Sequence, residues 1–144
     1  MGEAAHPVRN PATQELVGMV PELSTQEFNE TVQLSRDAFD EWKKVPIPQR
    51  QRIMFQLQHA IRETYMNDLA YLISLENGKT LADARGDVFR GLEMVESACW
   101  MAPNLLGDSM AGISSTMDCV SYREPLGVTA GICPFNFPAM SKGF

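Results

Sequence analysis

Apolar and polar positions along the chain divide it into a short hairpin, a long helical middle and a mixed C-terminal stretch. Residues 8–21 read as a hairpin. Asn10-Pro11 marks a turn, and residues 15–20 give a short strand. Ser24 and Glu27 then have the S-x-x-E spacing of a capping box, which opens a helix. Phe28, Val32, Phe39 and Trp42 fall on one face of it. Pro46 and Pro48 stop that helix, and Pro48 suits the first turn of the next. Ile53, Leu57, Ala60 and Ile61 predict a buried stripe. A break is expected near Asn67, after which Leu69, Leu72 and Ile73 carry a further helix with Gly78 at its end.

Thr80 and Asp83 can cap a fourth helix. Its apolar face is Val88, Leu92, Val95 and Cys99, and Pro103 ends it. Residues 107–118 are rich in Gly, Ser and Asp and read as a loop, while residues 117–123 alternate weakly and suggest a strand. Residues 126–132 (LGVTAGI) are small and apolar, as a buried parallel strand requires. Pro134 and Pro138 bracket Phe135, Asn136 and Phe137. Proline lacks an N–H and disfavours helix in the residue before it, so the strand should end near Cys133. An amide between two phenylalanines then sits at a strand's C-terminal end, where open α/β sheets place ligands.

Composition narrows the classes. A chain of 144 residues can form one modest domain. A formal net charge of −6 argues against a nucleic-acid surface. The apolar runs are all too short to span a bilayer. The first ten residues lack an apolar signal core and the Arg-rich, acid-poor character of a transit segment, and His6 breaks the myristoylation pattern that Met-Gly begins. Cys99, Cys119 and Cys133 are widely spaced, with no C-x-x-C, which argues against a disulfide scaffold or a zinc site and points to a reducing compartment. Arg85-Gly86-Asp87, Asn29-Glu30-Thr31 and Gly78-Lys79-Thr80 each match a short motif in a context that does not support it. Glu76, Asp83 and Asp87 read as solvated or capping carboxylates.

The run GICPFNFPAM (residues 131–140) resembles the asparagine motif of the NAD-dependent aldehyde dehydrogenase superfamily. Phe135, where many members have Trp, is similar to the CoA-acylating methylmalonate-semialdehyde dehydrogenases. The likeness also covers RNPATQELVGMVP (residues 9–21), LENGKTLADARGDVFRG (residues 75–91) and YREPLGV (residues 122–128). The last four residues depart from it, where the family continues with an apolar segment and a long remainder.

The resemblance implies an α/β fold. Residues 1–21 are a hairpin, 24–103 helices, 117–125 an oligomerisation strand, 126–140 the first nucleotide-fold strand with the Asn motif, and 141–144 a divergent tail. Together these are the incomplete N-terminal part of a Rossmann-like NAD-binding domain. It further implies that an aldehyde is attacked by a Cys thiolate, that hydride passes to NAD, and that CoA accepts the acyl group. A carboxylated substrate loses CO2, so malonate semialdehyde gives acetyl-CoA and methylmalonate semialdehyde gives propionyl-CoA. A homo-oligomer is implied, in the mitochondrial matrix of a eukaryote or otherwise the cytoplasm, in the catabolism of valine and pyrimidines.

Candidate chemistry follows residue by residue. Asn136 occupies the place of the superfamily's oxyanion amide; from the residues alone, a turn amide bonding its own backbone is the commoner reading. Cys133, Pro134 and Phe135 lie where backbone and aromatic ring meet the nicotinamide cofactor. From the residues alone Cys133 is a small buried hydrophobe. The family's nucleophilic Cys lies beyond residue 144. Arg90 sits about 200° around its helix from Val88 and points away from the apolar face. The resemblance gives it a substrate carboxylate to bind, against the ordinary role of a solvated Arg. The alternatives are a non-catalytic interaction module or another NAD(P)-dependent aldehyde dehydrogenase.

Overall fold

The computed structural model describes residues 5–142. Two antiparallel strands, β1 (Ala5–Arg9) and β2 (Leu16–Pro21), open the chain, with a register irregularity between Val8 and Arg9. The hairpin expectation holds. Asn10 turns the chain by accepting the Ala12 and Thr13 N–H groups through Oδ1.

Helix α1 (Thr25–Trp42) starts on the expected capping box. The Ser24 hydroxyl accepts the Glu27 N–H, and the Glu27 carboxylate accepts the Ser24 N–H at 2.9 Å. The N–H of Ser24 and its hydroxyl hold the Glu27 carboxyl down at a pKa of about 2. Helix α2 (Ile47–His59) runs through a wider π-helical stretch (Ala60–Tyr65) into α3 (Met66–Asn77). The expected break near Asn67 is therefore earlier and softer: the helix widens without stopping. Gly78 ends α3 with φ of 83°, a left-handed conformation that costs glycine little. Helix α4 (Leu81–Cys99) is capped by Thr80, whose hydroxyl accepts the Asp83 N–H.

The core lies on α4. Ala84, Val88, Leu92, Val95 and Cys99 are buried, with Ala70 of α3 against them and Ile61, Met66, Ile73 and Ala139 around. The stripe assigned to α2 is corrected in part: Ile53 and Leu57 stay exposed, while Ala60 is half-buried and Ile61 packs against the core. Gln51 donates to the Cys99 carbonyl at 2.6 Å and Gln58 donates to Glu96 at 3.0 Å.

Residues 107–118 are corrected from loop to hairpin. Strands β3 (Ser109–Ser114) and β4 (Met117–Val120) pair antiparallel, Ser109 opposite Val120, and the Gly112 N–H donates to Asp118. The strand expected over residues 126–132 is also corrected. This stretch forms no ladder with the described residues, and Leu126 and Ile132 are exposed. A parallel strand exists only through neighbours on its edges. Within this stretch Gly127 and Val128 instead line a hollow with Phe39 and Trp42 of α1. Ser141 and Lys142 close a short 3-10 turn (Met140–Lys142); the rest of the divergent tail lies outside the described residues.

Candidate functional site

Helix α4 presents a face that is apolar except at two places. Asp87 and Gly91 occupy stripe positions one helical turn apart, between Ala84, Val88 and Leu92. Asp87 is 0% exposed and is the one buried charged side chain among the described residues. It was expected to be solvated or capping; burial beneath the asparagine motif overturns that reading. Its carboxylate accepts the Met140 N–H at 3.0 Å and the Ala139 N–H at 3.4 Å. These N–H groups open the 3-10 turn, where backbone donors have no partner within the turn itself. Lys79 Nζ stands 3.5 Å from the same carboxylate and balances its charge. An unpaired buried carboxylate would be costly; here two N–H groups and an ammonium satisfy it.

Gly91 admits the close approach. A Cβ there would sit 2.7 Å from the Ala139 carbonyl oxygen. The motif is held at two further points. Asn77, the last residue of α3, donates to the Phe135 carbonyl at 3.0 Å. The Lys79 ammonium lies 4.6 Å from the centre of the Phe137 ring, a cation–π contact. Residues 135, 137, 139 and 140 are thus tied to the helices. Asn136, between two tied neighbours, is exposed, and its side chain makes no hydrogen bond among the described residues. The turn amide bonding its own backbone is therefore not what the structure shows.

The other candidates fall on either side. Cys133 and Pro134 are exposed, and the Phe135 ring is 86% exposed. Cys133 is not buried, contrary to the small-hydrophobe reading; its thiol donates to the Ser141 carbonyl at 3.4 Å. Arg90 is exposed, as its position on the wheel requires. No hydrogen bond or ion pair joins it to residues 133–136 among the described residues. A groove of about 670 Å³ runs beside the motif, between Leu57, Leu72, Leu92 and Pro138. Its lining is mostly apolar, with Glu76 and Asn77 the polar exceptions, and Asn136 is not part of it. The described residues contain no cluster of metal-binding side chains and no helix long and apolar enough to cross a membrane.

The family profile described as "Aldehyde dehydrogenase family" matches residues 2–143. Among curated relatives, an Arabidopsis thaliana protein named methylmalonate-semialdehyde dehydrogenase [acylating], mitochondrial, is 52% identical over 92% of this chain and 22% of its own length. A mouse protein named methylmalonate-semialdehyde/malonate-semialdehyde dehydrogenase [acylating], mitochondrial, is 50% identical over 92% of this chain and 25% of its own. A Sinorhizobium meliloti structure, named for methylmalonate-semialdehyde dehydrogenase and complexed with NAD, superposes with a TM-score of 0.93 and 33% identity. It covers 98% of this chain and 28% of its own. The chain thus spans about a quarter of the length of these relatives.

Proposed function

The chain belongs to the aldehyde dehydrogenase family, and from that premise we propose that it supplies the N-terminal part of a CoA-acylating methylmalonate- and malonate-semialdehyde dehydrogenase. One observation carries the reading: a motif tied to the helices at residues 135, 137, 139 and 140, with the Asn136 amide between them making no hydrogen bond among the described residues. A primary amide carries two N–H donors. Held in place, one of them stabilises the oxygen that becomes negative when a thiolate attacks an aldehyde carbonyl. Pinning the backbone behind the amide avoids reorganisation as that charge develops.

Cys133, Pro134 and Phe135 hold one face of the nicotinamide ring; when bound, NAD takes up the hydride. Cys133 is not the nucleophile in this reading, because that thiolate belongs to the family's sequence beyond residue 144. Arg90 pairs with the substrate carboxylate through its planar fork. CoA then accepts the acyl group. Residues 117–125 contribute to a homo-oligomer, in the mitochondrial matrix of a eukaryote or otherwise the cytoplasm; the eukaryotic relatives named mitochondrial support the first of these.

The test uses two proteins. The 144-residue chain alone should form no NADH from malonate semialdehyde, NAD and CoA. A full-length hybrid, in which residues 2–140 of this chain replace the matching quarter of the Arabidopsis relative, should form NADH and acetyl-CoA. Turnover by the isolated chain, or a folded hybrid without activity, would overturn the proposal.

A further inference from the structure

We propose that Asp87 is a positioning residue for Asn136, an inference that rests on the oxyanion reading above and deepens it. The groups that hold the motif differ in what they fix. Asn77 fixes the Phe135 carbonyl, on one side of Asn136. Asp87 fixes the Ala139 and Met140 N–H groups, on the other. Between them Pro138 has a locked φ, so a restraint at Ala139 is carried back toward Asn136 with little slack. Asp87 is the only one of these anchors that is fully buried and charged, so its geometry is the least free to relax.

Lys79 couples the two sides. Its ammonium is 3.5 Å from Asp87 Oδ2 and 4.6 Å from the Phe137 ring centre, so one cation ties the anchor to the residue after Asn136. A neutral amide at position 87 would keep the shape and lose the function. Its oxygen can accept from one N–H, but its NH₂ would face the other N–H or the Lys79 ammonium, donor against donor. The motif would then settle in a shifted position, and a shift near 1 Å at a reacting group costs about 10²-fold in rate.

The experiment is a double-mutant cycle in the hybrid, with kcat and KM measured separately and thermal midpoints recorded. Asn136→Ala should lower kcat for NADH formation by about 10²–10³-fold. Asp87→Asn should lower kcat by about 10-fold to 10²-fold, leave the aldehyde KM within about twofold, and cost little more when Asn136 is already Ala. A loss of activity through general unfolding would not show this dependence on Asn136. Lys79→Met should show the same dependence with a smaller loss, and stands in for Asp87→Asn if that variant does not fold. In the 144-residue chain, the Ala139 and Met140 amide resonances should move with Asp87→Asn while those of α1 stay in place.

If Asn136→Ala leaves kcat unchanged, the oxyanion reading falls and the inference falls with it. If Asn136→Ala is severe but Asp87→Asn is silent, or its loss multiplies fully with that of Asn136→Ala, the oxyanion reading stands and the positioning role is refuted.

Discussion

Adding one methyl group at Gly91 should release the asparagine motif from α4. A Cβ there meets the Ala139 carbonyl oxygen at 2.7 Å, its carbon at 3.1 Å and Met140 Cα at 3.5 Å. All three are backbone atoms, so no flexible side-chain tip can yield. Restoring ordinary contact requires the segment to move by about 0.7 Å. The Met140 N–H to Asp87 bond, 3.0 Å long, would then stretch beyond hydrogen-bonding range. Overpacking of this kind costs about 1–3 kcal/mol. Against it, alanine gains about 0.8–1.0 kcal/mol over glycine in a helix interior.

The internal control is Gly86, on the same helix, where a Cβ meets nothing within 4 Å. Gly86→Ala should therefore show the propensity gain alone, about 0.8–1.0 kcal/mol. Gly91→Ala should fall below it by about 1–3 kcal/mol, with faster amide exchange at Ala139 and Met140 and unchanged exchange at Val88 and Leu92. Urea midpoints and hydrogen exchange read both. A Gly91→Ala protein as stable as Gly86→Ala, with protected Ala139 and Met140 amides, would refute the docking geometry.

Three further outcomes are expected. The Glu27 carboxyl, lowered from 4.5 to about 2 by the Ser24 N–H and hydroxyl, lies below its unfolded value. Its support of the α1 N-terminus is therefore complete above pH 4.5 and lost as pH falls through 2; a carboxyl NMR titration near 4.5 would contradict this. Iodoacetamide should label the exposed Cys119 and Cys133 quickly and Cys99 slowly, because burial raises the Cys99 thiol pKa; equal rates by mass spectrometry would contradict that. In the hybrid, Arg90→Ala should weaken kcat/KM for malonate semialdehyde by about 1.5–3 kcal/mol relative to propionaldehyde; equal losses would remove Arg90 from the substrate site.

What the sequence made legible is what short range decides. The caps at Ser24 and Thr80, the left-handed Gly78 and the apolar stripe of α4 each depend on residues within about one turn. Asp87 was misread because its partners lie 52 and 53 residues away in the chain. A signal was nevertheless present. Ala84, Asp87, Val88, Gly91, Leu92 and Val95 share one helical stripe, so a carboxylate and a glycine interrupt an otherwise apolar face. A charge on a buried stripe needs partners, and a glycine beside it leaves room for backbone.

The strand over residues 126–132 failed for the opposite reason. Its composition suits a buried strand, but pairing depends on neighbouring strands. Residues 107–118 read as a loop because Gly112 and the serines disfavour strand; the antiparallel partner β4 and the left-handed Gly112 make the hairpin. The widening at residues 60–65 has no local signal that distinguishes it from ordinary helix.

The claim that Asn136 is the oxyanion donor meets its most direct test in single-turnover acylation by the hybrid enzyme, with NADH formation followed at saturating NAD before CoA is added. Asn136→Ala should slow that step by about 10²–10³-fold, roughly 2.7–4 kcal/mol, while the protein keeps its fold. An acylation rate within a few-fold of the parent would contradict the account.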